Sequence, residues 1–517
     1  MNILYKEGSD RKSVTLSEET IKDIALDELI GYMSSYQEER DILRKIMTVI
    51  PSDPSDMLFR QEILRDLLDD EALCGSLSEV LDLIKTLGYY GGARKTITEK
   101  DITLYSLLEV MRELSVYVNA TEKLEEILKN SNIRSEGLIS LRDQLSKIVE
   151  NENFSIAKED IKQMHEDLSN VRAAIVGVNF NPDLSISEVS AIEFVDYPIR
   201  SKYTLAQIAV TVKMSTPFKK YQVTDPLIAA ITPHMEKHLK RHFADIRKNM
   251  SKYVDYDSRF LTEMHDALVF YLRSAVFGRR LQAKGYEYSF PQIKDGADTR
   301  LSAEGFYNVR LAIAGEENIV KNDFSFTSGE RLFILTGPNR GGKTILEQGL
   351  ALISVMSSLG MFVTAHKCEG IPFRNILTHF PIDENLTINY GRLGEEAVRI
   401  KEIVASSDED SLILFNETFS TTSAADALYL SLDLMHVLKD IGSYVIFNTH
   451  IHELADKIPE MNGWDGEGKV TSIVMEIRDN VNTFRLMRGA PDTGSYARNI
   501  AEKYGITYEQ MKTQKES

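Results

Sequence analysis

The sequence predicts a mainly helical amino-terminal half followed by a carboxy-terminal α/β domain. Up to about residue 285, apolar residues recur at helical spacing, with one β-branched interruption at residues 171–181. From about residue 286, short apolar runs of strand composition, such as residues 332–335 and 411–415, alternate with helical segments. Strands separated by helices indicate a mostly parallel sheet, and ligand sites in such sheets lie at the carboxyl ends of the strands.

The composition is typical of a globular chain with about two to four domains. Of its 517 residues, 43% are hydrophobic and 27% are charged, and the formal net charge is −18. This charge argues against general nucleic-acid binding, so any contact with DNA needs a local basic patch. Cys74 and Cys368 form no C-x-x-C motif and fit a reducing, cytoplasmic location. Neither a signal peptide nor a membrane span is expected.

Residues 1–135 are predicted to form a helical core domain. A capping box at residues 15–18 would open the first helix, and the Pro-Ser-Asp-Pro run at residues 51–54 would separate it from the next. Gly88 and the glycine pair at residues 91–92 are expected to break the helical pattern again. Nothing in this region indicates catalysis.

Residues 136–285 are predicted to form a lever or connector domain. A long amphipathic helix is expected at residues 137–168, followed by a strand at residues 171–181 and its partner at residues 186–197. Residues 286–517 are predicted to form the α/β domain. Its expected strands are residues 306–314, 324–326, 332–335, 361–364, 375–378, 411–415 and 443–448.

Residues 337–344, Gly-Pro-Asn-Arg-Gly-Gly-Lys-Thr, fit the phosphate-loop pattern G-x-x-x-x-G-K-[ST]. Glycines let the backbone curl so that its N–H groups face an anion. Lys343 would reach the β- and γ-phosphates of a nucleotide, and the Thr344 hydroxyl would ligate Mg²⁺. An apolar run precedes the loop and a proline-free helical pattern follows it, so a helix N-terminus would point at the phosphates. The pattern therefore predicts a nucleotide site.

The apolar run at residues 411–415 ends in Asn416 and Glu417, which is the shape of a Walker B strand. The first polar position usually holds an Asp. The amide of Asn416 can still ligate a hard cation through its oxygen, but it brings no charge. Glu417 would polarise an attacking water, although a plain strand end that caps the next helix is the alternative. His450 ends another strand, where it would either contact the γ-phosphate region or serve a structural role.

Residues 233–253 form a basic stretch in an otherwise acidic chain. Such a stretch could meet DNA phosphates, although a charge run on a helix is more often a solvated face. Histidines at four-residue spacing offer metal ligands there, but no acidic or cysteine ligand stands in register. The candidates for DNA contact are Lys237, Lys240, Arg241, Arg247 and Lys248.

At several motifs the sequence resembles the MutS family of DNA-repair ATPases. The match rests on residues 336–344, where the family reads TGPN-x-GGK[ST], and on residues 449–454, which are similar to the family's TH-x-x-EL. Residues 319–323, 360–365 and 494–496 resemble three further family motifs. The resemblance covers nearly the whole chain, strongly from about residue 300 onward.

The resemblance implies a P-loop NTPase fold of the ABC/MutS type, ATP and Mg²⁺ as cofactors, and hydrolysis of ATP to ADP and phosphate. Glu417, His450 and Lys343 would be catalytic, and Thr344 and Asn416 would ligate the metal. The implied nucleotide-binding residues are Gly337, Pro338, Asn339, Arg340, Gly341, Gly342, Lys343, Thr344, Ile345, Val320 and Asn322. Double-stranded DNA, structured or mismatched, would be the partner whose binding follows the nucleotide state, and paired ATPase domains would form a homodimer.

Departures from the family pattern keep a second interpretation open. Asn416 replaces the family's Asp, residues 419–422 replace its G-R-G-T, and residues 391–394 replace a serine-bearing loop whose contact Arg392 could take over. The mismatch-reading domain, a full DNA clamp and carboxy-terminal extensions are expected to be absent. The alternative is a nucleotide-gated scaffold with little hydrolysis that acts through a protein partner. A transporter-type or chromosome-maintenance ATPase is disfavoured because no LSGGQ-like loop precedes the Walker B strand.

Overall fold

The computed structural model describes residues 3–94, 104–169, 172–183, 186–195, 197–199, 253, 259–294, 298–381, 392–478, 481–489, 507–508 and 510–512. Contacts within the chain divide it into two units. The first unit contains Met1–Ile3 and Asp70–Leu268, and the second contains Leu4–Asp69 and Val269–Ser517. In the described ranges, no helix is long and apolar enough to cross a membrane.

The second unit begins with short helices beside a two-stranded ribbon. The elements are β1 (Ser13–Thr15), α1 (Glu18–Asp23), α2 (Leu26–Met33), α3 (Gln37–Met47), β2 (Val49–Pro51) and α4 (Pro54–Asp69), with β1 and β2 antiparallel. The N-cap of α1 is Ser17, whose hydroxyl accepts a hydrogen bond from the Thr20 N–H at 3.1 Å. The capping box that the sequence placed at residues 15–18 was therefore wrong by two positions. The predicted helix start after residues 51–54 is confirmed.

The first unit is mainly helical. Its elements are α5 (Glu71–Arg94), α6 (Leu104–Asn130), α7 (Glu136–Val149), α8 (Glu152–Ser169) and the antiparallel pair β3 (Ala173–Phe180) and β4 (Ile186–Val195). The predicted strand pair is thus confirmed. The break predicted at Gly88 and residues 91–92 was wrong, because α5 continues through it; a helical glycine costs only about 1 kcal/mol. The single helix predicted at residues 137–168 is two helices, since the Asn151 side chain accepts the Asn153 N–H at 2.9 Å and starts α8.

The boundary between the units falls within α9 (Arg259–Ala283). The α/β part that follows contains β5 (Gln292–Ile293), β6 (Thr299–Phe306), α10 (Val309–Ala314), β7 (Asn322–Thr327), β8 (Glu330–Thr336), α11 (Lys343–Ser358), β9 (Lys367–Gly370), β10 (Asn375–His379), α12 (Arg392–Ser406), β11 (Ser411–Asn416), α13 (Ala424–Ile441), β12 (Tyr444–Asn448), α14 (His452–Asp456), α15 (Ile458–Met461), β13 (Lys469–Arg478) and β14 (Val481–Arg488).

Strands β5 to β14 form one mixed sheet of ten strands in the described part of the chain. Its parallel section has the order β10-β11-β12-β8-β13, and β14 pairs antiparallel with β13. β7 pairs antiparallel with β8 and β6, and β6 pairs antiparallel with β9. The prediction of a mostly parallel sheet is therefore correct only for the section in which β8, β11 and β12 end side by side.

Two predicted strands do not exist as strands. In residues 306–314 the chain leaves β6 and forms α10, because the Asn308 side chain caps the helix by accepting the Arg310 N–H at 2.9 Å. Residues 361–364 make only an isolated bridge between Val363 and Ser289. The other predicted strands of this part are confirmed as β7, β8, β10, β11 and β12.

Residues 4–69 pack on the α/β part, and the sequence had assigned them to the helical core domain of residues 1–135. The Asp23 carboxylate at the end of α1 accepts hydrogen bonds from the Thr378 hydroxyl at 2.7 Å and the Phe380 N–H at 3.2 Å, and it pairs with Arg399 of α12. These contacts join segments more than three hundred residues apart, which periodicity within the sequence does not report.

Candidate functional site

The loop of residues 337–344 connects β8 to α11 at the carboxyl end of the parallel strands. Gly337, Arg340 and Gly342 have positive φ angles of 140°, 60° and 92°. A Cβ atom at Gly337 would lie 2.9 Å from the Cβ of Met475, so a side chain has no room there. The glycines are thus required for the curled path that the phosphate-loop pattern predicts.

Lys343 opens α11 and is only 5% exposed. Its Nζ donates to the carbonyl oxygens of Gly337 at 3.0 Å and Pro338 at 3.2 Å. Burial lowers the pKa of Lys343, while the nearby carboxylates of Glu417 and Glu347 act in the opposite direction. The ammonium group is therefore held inside the loop, close to where an anion in the loop would sit.

A cavity of about 450 Å³ lies against this loop. The loop and Glu417 supply polar groups to its lining. Apolar side chains also line it, namely Leu311, Ile319, Val320, Met475 and Phe484. The volume is within the range of about 300–1,000 Å³ that small-molecule sites occupy.

The sequence predicted Val320 and Asn322 near the base, and both line the cavity. The side chain of Asn322 is engaged in a structural contact: its amide donates to the Phe484 carbonyl at 3.1 Å and accepts the Leu486 N–H at 2.7 Å. Asn322 therefore holds β14 in place, and through it the Phe484 ring. The contributions of Phe484 and Met475 were missed, because both arrive from strands more than a hundred residues downstream and no local pattern marks them.

Glu417 and His450 meet at the tips of β11 and β12. The backbone N–H of Glu417, which has a φ of 52°, donates to the Asn448 carbonyl at 2.9 Å, and its Oε1 lies 2.8 Å from His450 Nε2. The hydrogen bond from His450 is the main reason that the pKa of Glu417 lies below its usual range, and the charge of Lys343 adds to it. Of the pair, Glu417 lines the cavity, and His450 is placed to orient its carboxylate.

A chain of buried polar side chains runs beneath the loop. The Asn416 amide donates to Thr344 Oγ1 at 3.2 Å. Asn448 Nδ2 donates both to Asn416 Oδ1 at 2.7 Å and to Glu347 Oε2 at 2.9 Å. Asn416 and Asn448 are neighbours because they pair in register at the ends of parallel β11 and β12. The carboxyl of Glu347 is fully buried, and burial raises its pKa well above the usual range.

Sequence reasoning missed Glu347 and Asn448. Glu347 is an acidic residue between Leu346 and the apolar residues of α11, and this break in an otherwise apolar face was the available signal. Asn448 precedes Thr449 and His450 at a strand tip that the sequence had marked as polar.

The oxygen ligands present suit a hard divalent cation such as Mg²⁺. The Thr344 hydroxyl and the Asn416 amide are in contact, and Glu417 stands at the next position of the chain. No cluster of three or more His, Cys, Asp or Glu side chains suited to a metal occurs among the described residues. A cation here would complete its shell with phosphate and water oxygens, as Mg²⁺ commonly does. Glu347 Oε1 and Asn448 Oδ1, both buried, have no hydrogen-bond partner within the part of the chain that the structure describes.

The remaining nucleotide-binding candidates Asn339, Gly341 and Ile345 also line the cavity. The candidates for DNA contact, Lys237, Lys240, Arg241, Arg247 and Lys248, lie outside the described residues. So do residues 494–496 of the family motif and the side chain of Arg392, which begins α12.

The fold and the site define an α/β protein with a ligand cavity at the carboxyl ends of its parallel strands. The family model for MutS domain V matches residues 333–515, from β8 onward. DNA mismatch repair proteins MutS are similar to this chain. The protein of Clostridioides difficile is 23% identical over 87% of this chain and 48% of its own length. That of Caldicellulosiruptor bescii is 23% identical over 99% of this chain and 57% of its own.

A third relative, the MutS protein of Shouchella clausii, is 26% identical over 67% of this chain and 38% of its own length. The resemblance seen in the sequence is thus confirmed: the chain is similar to MutS proteins over most of its length, and residues 333–515 match MutS domain V. The chain spans about half the length of the curated relatives that it matches.

Proposed function

We propose that this chain binds ATP with Mg²⁺ in the cavity beside the 337–344 loop, hydrolyses it, and couples the nucleotide state to the binding of double-stranded DNA. The observation that carries the proposal is the cavity itself. Its lining combines a glycine-bearing loop at a helix N-terminus, which suits phosphates, with apolar side chains, which suit a purine base. The match to MutS domain V supports the choice of ATP.

The triphosphate would lie in the curl of the loop. There the N–H groups at the start of α11 face the phosphates, and the helix dipole adds a partial positive charge. Lys343 Nζ would exchange its bonds to the Gly337 and Pro338 carbonyls for phosphate oxygens. The loop carbonyls thus keep the buried ammonium paired when no phosphate is present.

Thr344 and Asn416 would hold Mg²⁺ beside the phosphates. When bound, the metal supplies positive charge that stabilises the transferring phosphoryl group. Glu417 lines the cavity and is ionised at neutral pH, because its pKa is lowered. It would accept a hydrogen bond from the attacking water and orient it, while His450 fixes the carboxylate.

The relatives carry the name DNA mismatch repair protein, which supports DNA as the partner of this chain. Structured or mismatched duplexes are the proposed ligands, and the basic side chains of residues 233–253 are the proposed contacts. A homodimer through the ATPase domains is part of the same proposal.

Asn416 favours a second candidate function, a nucleotide-gated scaffold with little hydrolysis. The amide leaves the site without the negative charge that a carboxylate would bring to the metal. In this alternative, nucleotide binding changes the conformation that a protein partner recognises, and turnover is incidental.

One set of measurements on the full chain tests the proposal. ATP turnover and ATP affinity are measured for the wild type, Glu417→Gln and Lys343→Ala. DNA affinity is then measured for duplex, mismatched, forked and four-way DNA, with and without ATP, at a stated salt concentration. We expect Glu417→Gln to keep ATP affinity and lose turnover by about a hundredfold or more. Equal, negligible turnover in all three, with ATP affinity retained in the wild type, would favour the scaffold, and a wild type without ATP affinity would overturn both functions.

A further inference from the structure

Glu347 is a fully buried carboxyl group whose position the proposed hydrolysis does not explain. It lies on α11, one turn after Lys343, and its Oε2 accepts a hydrogen bond from Asn448 Nδ2 at 2.9 Å. Among the described residues, its Oε1 has no hydrogen-bond partner. A buried carboxyl with an unpaired oxygen destabilises the fold, so a functional reason for it is worth seeking.

The orientation of the Asn416 amide decides whether this residue can ligate a cation. In the structure the Asn416 oxygen accepts from Asn448 at 2.7 Å and lies 3.5 Å from Thr344 Oγ1, whereas its Nδ2 lies nearer, 3.2 Å from Thr344 Oγ1. A metal held between Thr344 and Asn416 is better served by the opposite orientation, with the amide oxygen as the atom nearer to Thr344, because an N–H group does not bind cations.

Rotating Asn416 obliges Asn448 to rotate as well. Once Asn416 Nδ2 faces Asn448, the facing atom of Asn448 must be its oxygen, which is an acceptor. In the structure Asn448 Nδ2 donates to both Asn416 and Glu347, so after the rotation the Asn448 oxygen would face both of these neighbours. Two acceptors, the Asn448 oxygen and a carboxylate oxygen, would then stand about 3 Å apart. Only a proton on Glu347 turns this contact into a hydrogen bond.

We propose that Glu347, as a neutral carboxylic acid, is a positioning residue that donates to Asn448 and thereby turns the Asn416 oxygen toward the metal. This inference rests on the proposed nucleotide function and names the residue that would orient the Asn416 amide toward the metal. A carboxylate at position 416 would need no such device, because both of its oxygens accept. The proposal thus links the amide at position 416 to the buried acid Glu347 on α11.

The surroundings of Glu347 favour the protonated form. Burial raises the pKa of Glu347 and exceeds the opposing effects of the Asn448 hydrogen bond and the Lys343 charge, and Glu417 raises the pKa further. These are the groups that face it from α11, β12 and the tip of β11. Burial at this position therefore favours the neutral acid over the carboxylate.

The test is Mg²⁺-dependent binding of a non-hydrolysable ATP analogue to the full chain, measured by calorimetry at neutral pH and at an alkaline pH at which the chain stays folded. Glu347→Gln keeps a neutral donor at every pH, whereas Glu347→Met keeps the volume and removes the donor. We expect Glu347→Met to weaken the Mg²⁺-dependent affinity about tenfold, the effect typical of groups that orient a metal ligand. Glu347→Gln should match the wild type at the lower pH and, unlike the wild type, keep its affinity at the higher pH.

Controls separate this idea from a change in folding and from the proposed function. Ser354→Ala removes another buried polar group of α11, one that bonds only to its own helix, and should leave the affinity unchanged. In the Asn416→Asp background, Glu347→Met should have little effect.

Equal Mg²⁺ dependence in the Gln and Met variants, or an alkaline loss that persists in Glu347→Gln, would overturn the proposal. If Glu347→Met does not fold, the pH comparison of wild type and Glu347→Gln decides alone. A wild type that binds no nucleotide at all would overturn the proposed function itself.

Discussion

His450 Nε2 lies 2.8 Å from Glu417 Oε1, although the two residues stand 33 positions apart in the chain. Parallel pairing of β11 with β12 creates this contact by ending both strands at the same level. In the proposed hydrolysis the imidazole would act through the carboxylate that lines the cavity, so removal of the imidazole should change the pKa of that carboxylate.

Replacing His450 with Ala should raise the pKa of Glu417 toward its usual value, because the hydrogen bond from His450 is the main cause of the lowered pKa. In the folded protein the Glu417 carboxylate is lost as the pH falls through its pKa, so the lowered pKa keeps this group ionised to lower pH. The acid limb of the pH–rate profile should therefore move to higher pH in His450→Ala. An unchanged acid limb would show that His450 does not act through Glu417.

Lys343→Met should weaken ATP affinity by about tenfold or more, because the ammonium is the charge that the loop holds ready for the phosphates. Lys439 offers a matched control: it is also buried, and its Nζ donates to the carbonyls of Met461 at 3.2 Å and Trp464 at 2.8 Å, outside the cavity. Lys439→Met should lower thermal stability and leave ATP affinity at the wild-type value. Equal losses of affinity in the two variants would contradict a specific role for Lys343.

Arg399→Met should destabilise the chain by about 3 kcal/mol, since it leaves the buried Asp23 carboxylate without its cation. Burial already holds the pKa of Asp23 above its usual value, against the effect of Arg399. Stability should therefore fall as the pH rises from the unfolded-state to the folded-state pKa, and fall further in Arg399→Met. Denaturant unfolding at several pH values measures this, with the exposed pair Lys457–Glu460 as a control in which Lys457→Met costs less than about 1 kcal/mol.

Gly360→Ala should destabilise the chain by about 2 kcal/mol or more. The φ of Gly360 is +73°, and a Cβ there would lie 2.5 Å from the Met57 carbonyl oxygen. Gly31 is the matched control, because it lies within α2 and a Cβ added there meets nothing within 4 Å. Gly31→Ala should be neutral or stabilise by about 0.5–1 kcal/mol. Thermal unfolding of both variants checks the pair, and a Gly360→Ala protein as stable as the wild type would refute the close approach.

The amino-acid sequence by itself determined the elements of the site that are local. A strand, a glycine-bearing loop and a helix are contiguous from Glu330 to Ser358, so residue order alone places the loop between β8 and α11, as predicted. Strands β11 and β12 were also predicted, because four or five consecutive buried apolar residues leave a clear pattern. Local errors arose where one polar side chain decided the outcome, as when Asn308 began a helix in place of a predicted strand.

Only the tertiary structure decided which distant residues complete the site. Met475 and Phe484 line the cavity, and Glu347 meets Asn448 across 101 positions of sequence. Asp23 and Arg399 likewise join the first helices to the α/β part. The physical reason is that sheet order and helix packing set these distances. Periodicity along the chain reports which face of an element is buried, and it carries no information about what that face touches.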